Sequence, residues 1–146
     1  MNKNQKSRAV TSIRSAMTLG IHHFHEKFGL NAPIVPQLLG NELFEFRLKF
    51  LREEVQEYED AHREGDLVKA FDALVDLVYV ALGTSYLHGL PFEDGFDLVQ
   101  AANMAKVRAE RKEMSVRGST YDVVKPEGWQ PPDLRHLVGA FQTDAF

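Results

Sequence analysis

Carboxylates occupy positions in this chain where a packed helix should be apolar. If the segment from Glu42 to Arg63 winds as a helix at about 100° per residue, Glu54 falls near the centre of its apolar face. Glu57 follows one turn later on that inward side, and Glu53 lies at the edge of the polar side. Buried carboxylates repel one another and are costly unless a cation neutralises them. The pattern predicts a site for divalent metal ions, with solvated surface charge as the ordinary alternative.

The next helical segment carries two aspartates among apolar residues. From Phe71 to Ser85 the chain is apolar on nearly every side, which predicts a helix that is buried all round. Asp72 and Asp76 are four residues apart and therefore share one face of it. Asp72 lies near the start of the segment, where an acid favours the helix dipole. Asp76 lies too far inside for that explanation and needs another role, because Asp is a poor residue for a helix interior.

A third segment adds an amide and an amine. Pro91 to Arg111 is predicted to form a helix in which Asn103 falls among apolar directions and Lys106 follows about one turn later. An inward amide and amine beside a carboxylate cluster can hold phosphate oxygens or a metal-bound water. A surface lysine whose aliphatic stem packs on the helix is an equally good account of Lys106.

Composition limits the classes of protein to which the chain can belong. At 146 residues, one domain covering residues 1–146 is expected, with flexible ends at 1–7 and 141–146. The sequence has no cysteine, which excludes disulfides, thiolate zinc sites, iron–sulfur clusters and cysteine nucleophiles. A net charge of −4 disfavours a protein that coats nucleic acid. The sequence contains neither a signal-peptide core nor a membrane span, so a cytoplasmic protein is expected.

The helical segments predict an all-α protein built on a four-helix bundle. They are separated by loops rich in glycine and proline, and no strand-like alternation of useful length is present. Asn41 and Asp66 are the predicted N-caps of the second and third helices. The other predicted boundaries are a first helix from Arg8 to Phe28, a loop from Gly29 to Gly40, an end of the third helix at His88 and Gly89, a long loop from Glu113 to Pro132, and a short helix from Asp133 to Ala140.

The ligand types favour particular metals. Carboxylates without cysteine suit hard ions such as Mg²⁺ or Mn²⁺. A di-iron site in a four-helix bundle needs the Glu-x-x-His spacing on more than one helix. One such spacing occurs, from Glu59 to His62, and Glu59 falls on the polar side. His22 and His25 are one turn apart, but packing or surface exposure is the more common role of such a pair.

The acidic pattern resembles that of a known enzyme superfamily. Glu54-x-x-Glu57, followed by Asp72 and Asp76, resembles the signature of the all-α nucleoside triphosphate pyrophosphohydrolases. These are the MazG-like enzymes, which include phosphoribosyl-ATP pyrophosphohydrolase. Their usual second motif is ExxD, whereas this chain has Ala73 in place of that glutamate and an acid at Asp72 instead. Whether Asp72 replaces the missing ligand stays open at this point.

Two further stretches are similar to a branch labelled phosphoribosyl-ATP pyrophosphohydrolase-like, which is common in phages and bacteria. They are NMAKV at 103–107 and DVVKPEGW at 122–129. The similarity extends over about residues 20 to 134. It implies an enzyme of the nucleotide pool, located in the host cytoplasm if the protein is phage-encoded.

The resemblance implies hydrolysis of a nucleoside or deoxynucleoside triphosphate to the monophosphate and pyrophosphate, with dGTP or GTP as the leading substrate. About two or three Mg²⁺ or Mn²⁺ ions would be bound. The implied metal ligands are Glu53, Glu54, Glu57, Asp72 and Asp76. Glu53, Glu54 and Lys106 form the implied catalytic set, in which Glu53 takes the proton of the attacking water. The implied substrate-binding residues are Asn103, Lys106, Arg111, Lys112 and Lys125 for the phosphates, and Phe24, Tyr79 and Trp129 for the nucleoside.

The resemblance also implies self-association as a homodimer or homotetramer. The apolar third helix agrees, because one short chain has too few elements to cover it. No nucleic-acid or membrane partner is expected. Two alternatives to an enzyme remain open: a nucleotide-binding regulatory module without catalysis, and a helical partner protein whose acids are surface charges. Within the enzyme class, phosphoribosyl-ATP and ppGpp are alternative substrates.

Overall fold

The computed structural model describes residues 16–139, and most of them are helical. The helices are α1 (residues 16–27), α2 (Asn41–Glu64), α3 (Leu67–Leu87) and α4 (Phe92–Met104). Two short 3-10 helices, Lys112–Met114 and Arg135–Val138, and two short strands, β1 (Val107–Arg108) and β2 (Val123–Val124), complete the described elements. The predicted all-α fold is confirmed. The start of the predicted first helix, from Arg8, lies outside the described residues.

The contacts divide the chain into two compact units, Met1–Phe92 and Glu93–Phe146. The first unit contains α1, α2 and α3, and α2 packs along α3. No helix within the described range 16–139 is long and apolar enough to cross a membrane.

A tight turn joins α2 to α3 and makes them an antiparallel hairpin. Gly65 ends α2 in the left-handed conformation, with φ of 71°, which glycine adopts without strain. Asp66 then caps α3, because its side chain accepts a hydrogen bond from the Lys69 backbone N–H at 3.0 Å. The predicted cap at Asp66 is confirmed. The predicted cap at Asn41 is wrong, since Asn41 is already helical and Gly40 precedes the helix.

The C-terminal unit contains the clearest departures from the predicted boundaries. Helix α4 ends at Met104 rather than Arg111, because the chain turns there into β1. β1 pairs antiparallel with β2, so that Val107 faces Val124 and Arg108 faces Val123. These valines favour extended backbone, but their pairing joins two distant parts of the sequence and produces no local alternation. The predicted helix from Asp133 is a single 3-10 turn, Arg135–Val138, that ends at Gly139.

Few apolar side chains are buried among residues 16–139. Those of the first unit are Ile21, Ala61, Ala73, Val80, Leu82 and Leu87, and that of the C-terminal unit is Ala109. Along α3, Phe71 is 67% exposed, Val75 47% and Val78 51%. The prediction that α3 is buried all round is therefore wrong for one chain, because α1 and α2 cover only part of its surface.

Candidate carboxylate site

Among residues 16–139, Glu54 is the buried acid. Its side chain lies on the α2 face that packs toward α3, and the residue is 6% exposed. Its Oε2 atom has no hydrogen-bond partner among residues 16–139. Burial, and then the negative charges of Glu57, Asp76, Glu53 and Asp72, raise the pKa of the Glu54 carboxyl. The inward position predicted for Glu54 is confirmed.

The other four predicted ligands are exposed. Glu53 pairs with Lys49 at 3.7 Å, one turn earlier on α2. Glu57 and Asp72 both line a groove of about 220 Å³ between the end of α2 and the start of α3. Asp76 is exposed on α3. The inward positions predicted for Glu57 and Asp76 are therefore wrong for a single chain, because one chain leaves this face of the hairpin open.

The hairpin nonetheless brings acids from both helices to Glu54. Glu53 and Glu57 come from its own helix, one residue before it and one turn after it. Asp72 and Asp76 come from α3 and lie close enough for their charges to act on Glu54. Over the described part of the chain, no three acids or histidines converge on a single point as the side chains stand. The site is thus a negatively charged face around one buried, unpaired oxygen.

This donor set fits a hard divalent cation. Carboxylate oxygens are the ligands that Mg²⁺ and Mn²⁺ prefer in proteins. A buried carboxylate oxygen without a partner costs free energy, and crowding by other acids increases that cost. A bound cation would remove both costs. Without a cation, protonation of Glu54 would reduce them.

Two lysines and a tryptophan form a cluster in the C-terminal unit. The Trp129 Nε1–H donates to the Ala102 carbonyl oxygen near the end of α4, at 2.7 Å. Lys106 Nζ lies 5.4 Å and Lys125 Nζ 4.8 Å from the centroid of the indole ring. The ring is half-buried and held at both its edge and its face. Trp129 thus ties the loop to α4, whatever else it does.

The remaining basic and polar candidates of this unit are exposed. Asn103 lies in the last turn of α4, and its backbone carbonyl accepts from the Lys106 N–H at 3.1 Å. Arg111 and Lys112 stand at the start of the 3-10 turn Lys112–Met114. Their side chains project into solvent. The Asn103 amide therefore does not face an apolar core, because α4 is covered on few sides within its own unit.

The aromatic candidates of the first unit contact each other. Phe24 packs edge-on against Tyr79 at 5.5 Å between ring centroids, and against Phe28 at 4.8 Å. Phe24 is 38% and Tyr79 39% exposed. This contact joins α1 to α3, so packing accounts for the buried part of each ring while the other part stays accessible.

The histidine pair of α1 has a packing role. His25 is 1% exposed, and its Nδ1–H donates to the Ile21 carbonyl oxygen at 2.7 Å. His22 packs edge-on against Tyr86 at 4.7 Å. The two imidazoles therefore do not form a two-histidine metal site.

Arg47, seven residues before Glu54 on α2, is not among the predicted site residues. In the structure Arg47 is 8% exposed and is bonded to α3. The signal for such a bond lies in residues more than thirty positions away, so the sequence of α2 alone does not contain it.

Comparison with known proteins assigns the chain to a family. Residues 21–103, more than half of the chain, match the family of phosphoribosyl-ATP pyrophosphohydrolase. No curated protein matches it significantly. The matched range includes α2, α3 and nearly all of α4, and thus every acid of the candidate site. The family indicates an enzyme of the nucleotide pyrophosphohydrolase type. The chain belongs to the phosphoribosyl-ATP pyrophosphohydrolase family.

Proposed function

We propose that the protein is a metal-dependent nucleoside triphosphate pyrophosphohydrolase, with dGTP or GTP as its leading substrate. The observation that carries this proposal is the buried, unpaired Glu54 oxygen within a face of four further acids. A helical partner protein whose acids are surface charges does not need a costly buried carboxylate at that position, and turnover distinguishes the enzyme from a regulatory module. Hydrolysis of a charged phosphoanhydride needs a cation there.

The proposed ligands are Glu53, Glu54, Glu57, Asp72 and Asp76, and the proposed ions are Mg²⁺ or Mn²⁺. When bound, such ions neutralise charge on the phosphate oxygens and lower the pKa of the attacking water. Glu53 is exposed and paired only loosely with Lys49, at 3.7 Å, so it is available to take the proton of that water. The anhydride between the α and β phosphates breaks, and pyrophosphate leaves with the bridging oxygen or receives the water oxygen.

Basic and aromatic side chains complete the proposal. Lys106, with Asn103, Arg111, Lys112 and Lys125, supplies charge and donors for phosphate oxygens. Phe24 and Tyr79 offer partly exposed rings for a nucleobase. Trp129 is tied to Ala102 through the donor of its side chain, so base binding there uses the face of the ring.

The family match favours a second substrate. The matching family is that of phosphoribosyl-ATP pyrophosphohydrolase, whose name specifies a nucleoside triphosphate with a second sugar on the base. The same carboxylate face serves the same bond in either substrate. The two substrates share the triphosphate and differ at the base, to which phosphoribosyl-ATP carries an added sugar phosphate, so comparing their rates decides between them.

Self-association is part of the proposal. Large apolar side chains are exposed along α2 and α3, among them Phe46 at 59% and Phe71 at 67%. Patches of this extent mark interaction surfaces. A homodimer or homotetramer would cover them, and sedimentation velocity measures the assembly directly.

The reaction is tested by incubating purified protein with each common ribo- and deoxyribonucleoside triphosphate, and with phosphoribosyl-ATP and ppGpp. Each is supplied with Mg²⁺, Mn²⁺ or EDTA, and the products are separated. The proposal predicts metal-dependent monophosphate and pyrophosphate from the triphosphates. Release of diphosphate and phosphate would mean a different scissile bond. Tight nucleotide binding without turnover would favour the regulatory module.

Two additions sharpen this test. Water enriched in the heavy oxygen isotope labels the monophosphate if the α phosphorus is attacked, and pyrophosphate if the β phosphorus is attacked. Glu54→Gln should lose turnover, whereas Glu59→Gln, an exposed acid of the same helix paired with Arg63, should keep it. Equal activity in both variants would contradict the proposal.

A further inference from the structure

Three helices of the first unit meet at Gly83 on α3. A β-carbon built at Gly83 would lie 2.9 Å from His25 Cε1 of α1 and 3.0 Å from Arg47 Nη2 of α2. Contacts this short force a neighbour to move, and both neighbours are buried. Glycine at this position therefore lets an imidazole and a guanidinium lie directly against the backbone of α3.

Arg47 bonds α2 to one turn of α3. Its Nε–H donates to Thr84 Oγ1 at 3.0 Å, and its Nη2–H donates to the Val80 carbonyl oxygen at 2.7 Å. The Thr84 hydroxyl itself donates to that carbonyl at 2.7 Å, which orients its lone pairs toward Arg47. The planar guanidinium thus contacts two acceptors whose separation is fixed by the helix.

This guanidinium is buried beside neutral partners. Burial lowers the pKa of Arg47, and both of its hydrogen-bond acceptors are uncharged oxygens. No ion pair to Arg47 occurs between residues 16 and 139. A buried cation without a carboxylate stabilises a fold poorly, and an apolar residue of similar size commonly stabilises it as well. Stability alone is a weak reason for arginine here, whereas a directional contact between two helices is a specific one.

The contact lies at a defined distance from the acids. Glu54 follows Arg47 by seven residues, which is about two turns along the same face of α2. Asp76 precedes Val80 by four residues, which is about one turn along α3. Because α2 and α3 are antiparallel, both steps run toward the Gly65–Asp66 turn. The Arg47 contact and that turn therefore bracket the carboxylates from both sides.

We infer that Arg47 is a positioning residue, whose contact with Val80 and Thr84 fixes the register of α2 on α3 and so sets Glu54 opposite Asp76. Gly83 is part of the same device, since the Arg47 guanidinium and the His25 imidazole both lie against its backbone. That the register serves metal binding rests on the proposed function. That Arg47 sets the register does not.

Spin-label distances test the register without metal or substrate. The chain has no cysteine, so a labelled pair can be introduced at the exposed positions Gln56 on α2 and Ala81 on α3. Dilution with unlabelled protein removes distances between chains. Arg47→Met should shift or broaden the distance distribution while helical circular dichroism is kept. An unchanged distribution would overturn the inference.

Mn²⁺ affinity, measured by electron paramagnetic resonance, tests whether the register set by Arg47 serves metal binding. Arg47→Met should raise the Mn²⁺ dissociation constant by about tenfold, within the range typical when a residue outside the ligand set is lost. Arg47→Lys should fall between the wild type and Arg47→Met. The matched control Arg63→Met, at an exposed arginine of the same helix, should leave the constant unchanged. A lower Tm with unchanged affinity would mean ordinary packing and would overturn the positioning role.

Failure of the proposed function gives a different result. If the wild type and Glu54→Gln bind Mn²⁺ equally poorly, the metal site is wrong, and the label distances alone decide whether Arg47 sets the register. A compensating pair tests the Gly83 contact: Gly83→Ala should shift the label distance, and His25→Ala added to it should restore part of the native value. No restoration would show that His25 does not limit the space at Gly83.

Discussion

Two acids in different regions of the molecule have opposite surroundings. Glu54, on the α2–α3 hairpin, is buried with an oxygen that has no partner in residues 16–139. Asp122, in the C-terminal loop, accepts from the Ser115 hydroxyl at 2.7 Å, from Arg117 at 3.0 Å and from the Val123 N–H at 2.9 Å. Burial raises the pKa of Glu54, whereas the Ser115 hydrogen bond, and then Arg117, lower the pKa of Asp122 against the opposing effect of burial.

The difference separates a structural acid from a candidate functional one. Asp122 is satisfied by groups close to it in sequence, and together they hold the loop before β2. Glu54 is surrounded by groups of its own sign and gains nothing from them. An acid such as Asp122 stabilises the fold through its own hydrogen bonds. An acid such as Glu54 is a candidate ligand for a cation from solution.

The largest expected effect is that of Glu54→Gln on catalysis. Turnover should fall by more than the roughly 10–100-fold loss typical of a residue outside the ligand set. The metal-free variant should be more stable than the wild type, because neutralising Glu54 removes repulsion. Product assays and thermal unfolding in EDTA measure the two effects. Loss of folding with unchanged metal response would place Glu54 in the structural class with Asp122.

The aspartates of α3 should have smaller and unequal effects. Asp76→Asn, at a proposed ligand, should reduce turnover by at least the roughly 10–100-fold typical of a residue outside the ligand set. Asp72→Asn shows whether Asp72 replaces the glutamate missing at Ala73. If Asp72 is a ligand, its variant should match Asp76→Asn in Mn²⁺ affinity. If it only favours the helix dipole, affinity should be unchanged and the Tm slightly lower.

Asp122→Asn should have the opposite pattern from Glu54→Gln. The asparagine side chain has one oxygen where aspartate has two, so it cannot accept from Ser115, Arg117 and Val123 together. The Tm should therefore fall by several degrees. Mn²⁺ affinity should not change. Ser115→Ala is the comparison variant, because it removes the first of these donors together with the acceptor of the Arg117 backbone N–H. If Asp122→Asn changed the Mn²⁺ affinity and left the Tm unchanged, Asp122 would not be a structural acid and the contrast with Glu54 would be wrong.

The smallest effects are opposite slopes of stability with pH. A raised folded-state pKa means that metal-free protein loses the Glu54 contribution as pH rises from the ordinary carboxyl range through the raised pKa. A lowered pKa means that the Asp122 contribution is present above its ordinary pKa and is lost as pH falls toward the lowered value. Urea unfolding in EDTA across acidic pH, with each Gln or Asn variant as reference, measures both. Slopes of the same sign would show that one acid is misassigned.

Whether a feature could be predicted from the sequence depends on how far apart along the chain the residues that determine it lie. The helical periodicity of α2 located Glu54 on the inward face, and the Asp66 cap depends on a residue three positions later. Periodicity also placed Glu57 and Asp76 inward, but their exposure depends on how much surface the neighbouring helices cover. That coverage is a property of the assembled unit and has no local signal.

Long-range partners account for the other misses. The Arg47 bonds reach 33 and 37 residues along the chain. The end of α4 at Met104 is coupled to the pairing of β1 with β2, across a loop that has no helical or strand periodicity. Gly83 looks like an ordinary weak point of an apolar helix until His25 and Arg47 are placed against it.

The most direct test of the central claim is anomalous diffraction from crystals soaked in Mn²⁺. We predict an anomalous peak within coordination distance of a Glu54 carboxylate oxygen, with at least one other of the five acids bound to the same ion. The peak should be absent in Glu54→Gln and present in Glu59→Gln. Ordered Mn²⁺ elsewhere with none at Glu54, or crystals of the wild type that bind no Mn²⁺, would contradict the account.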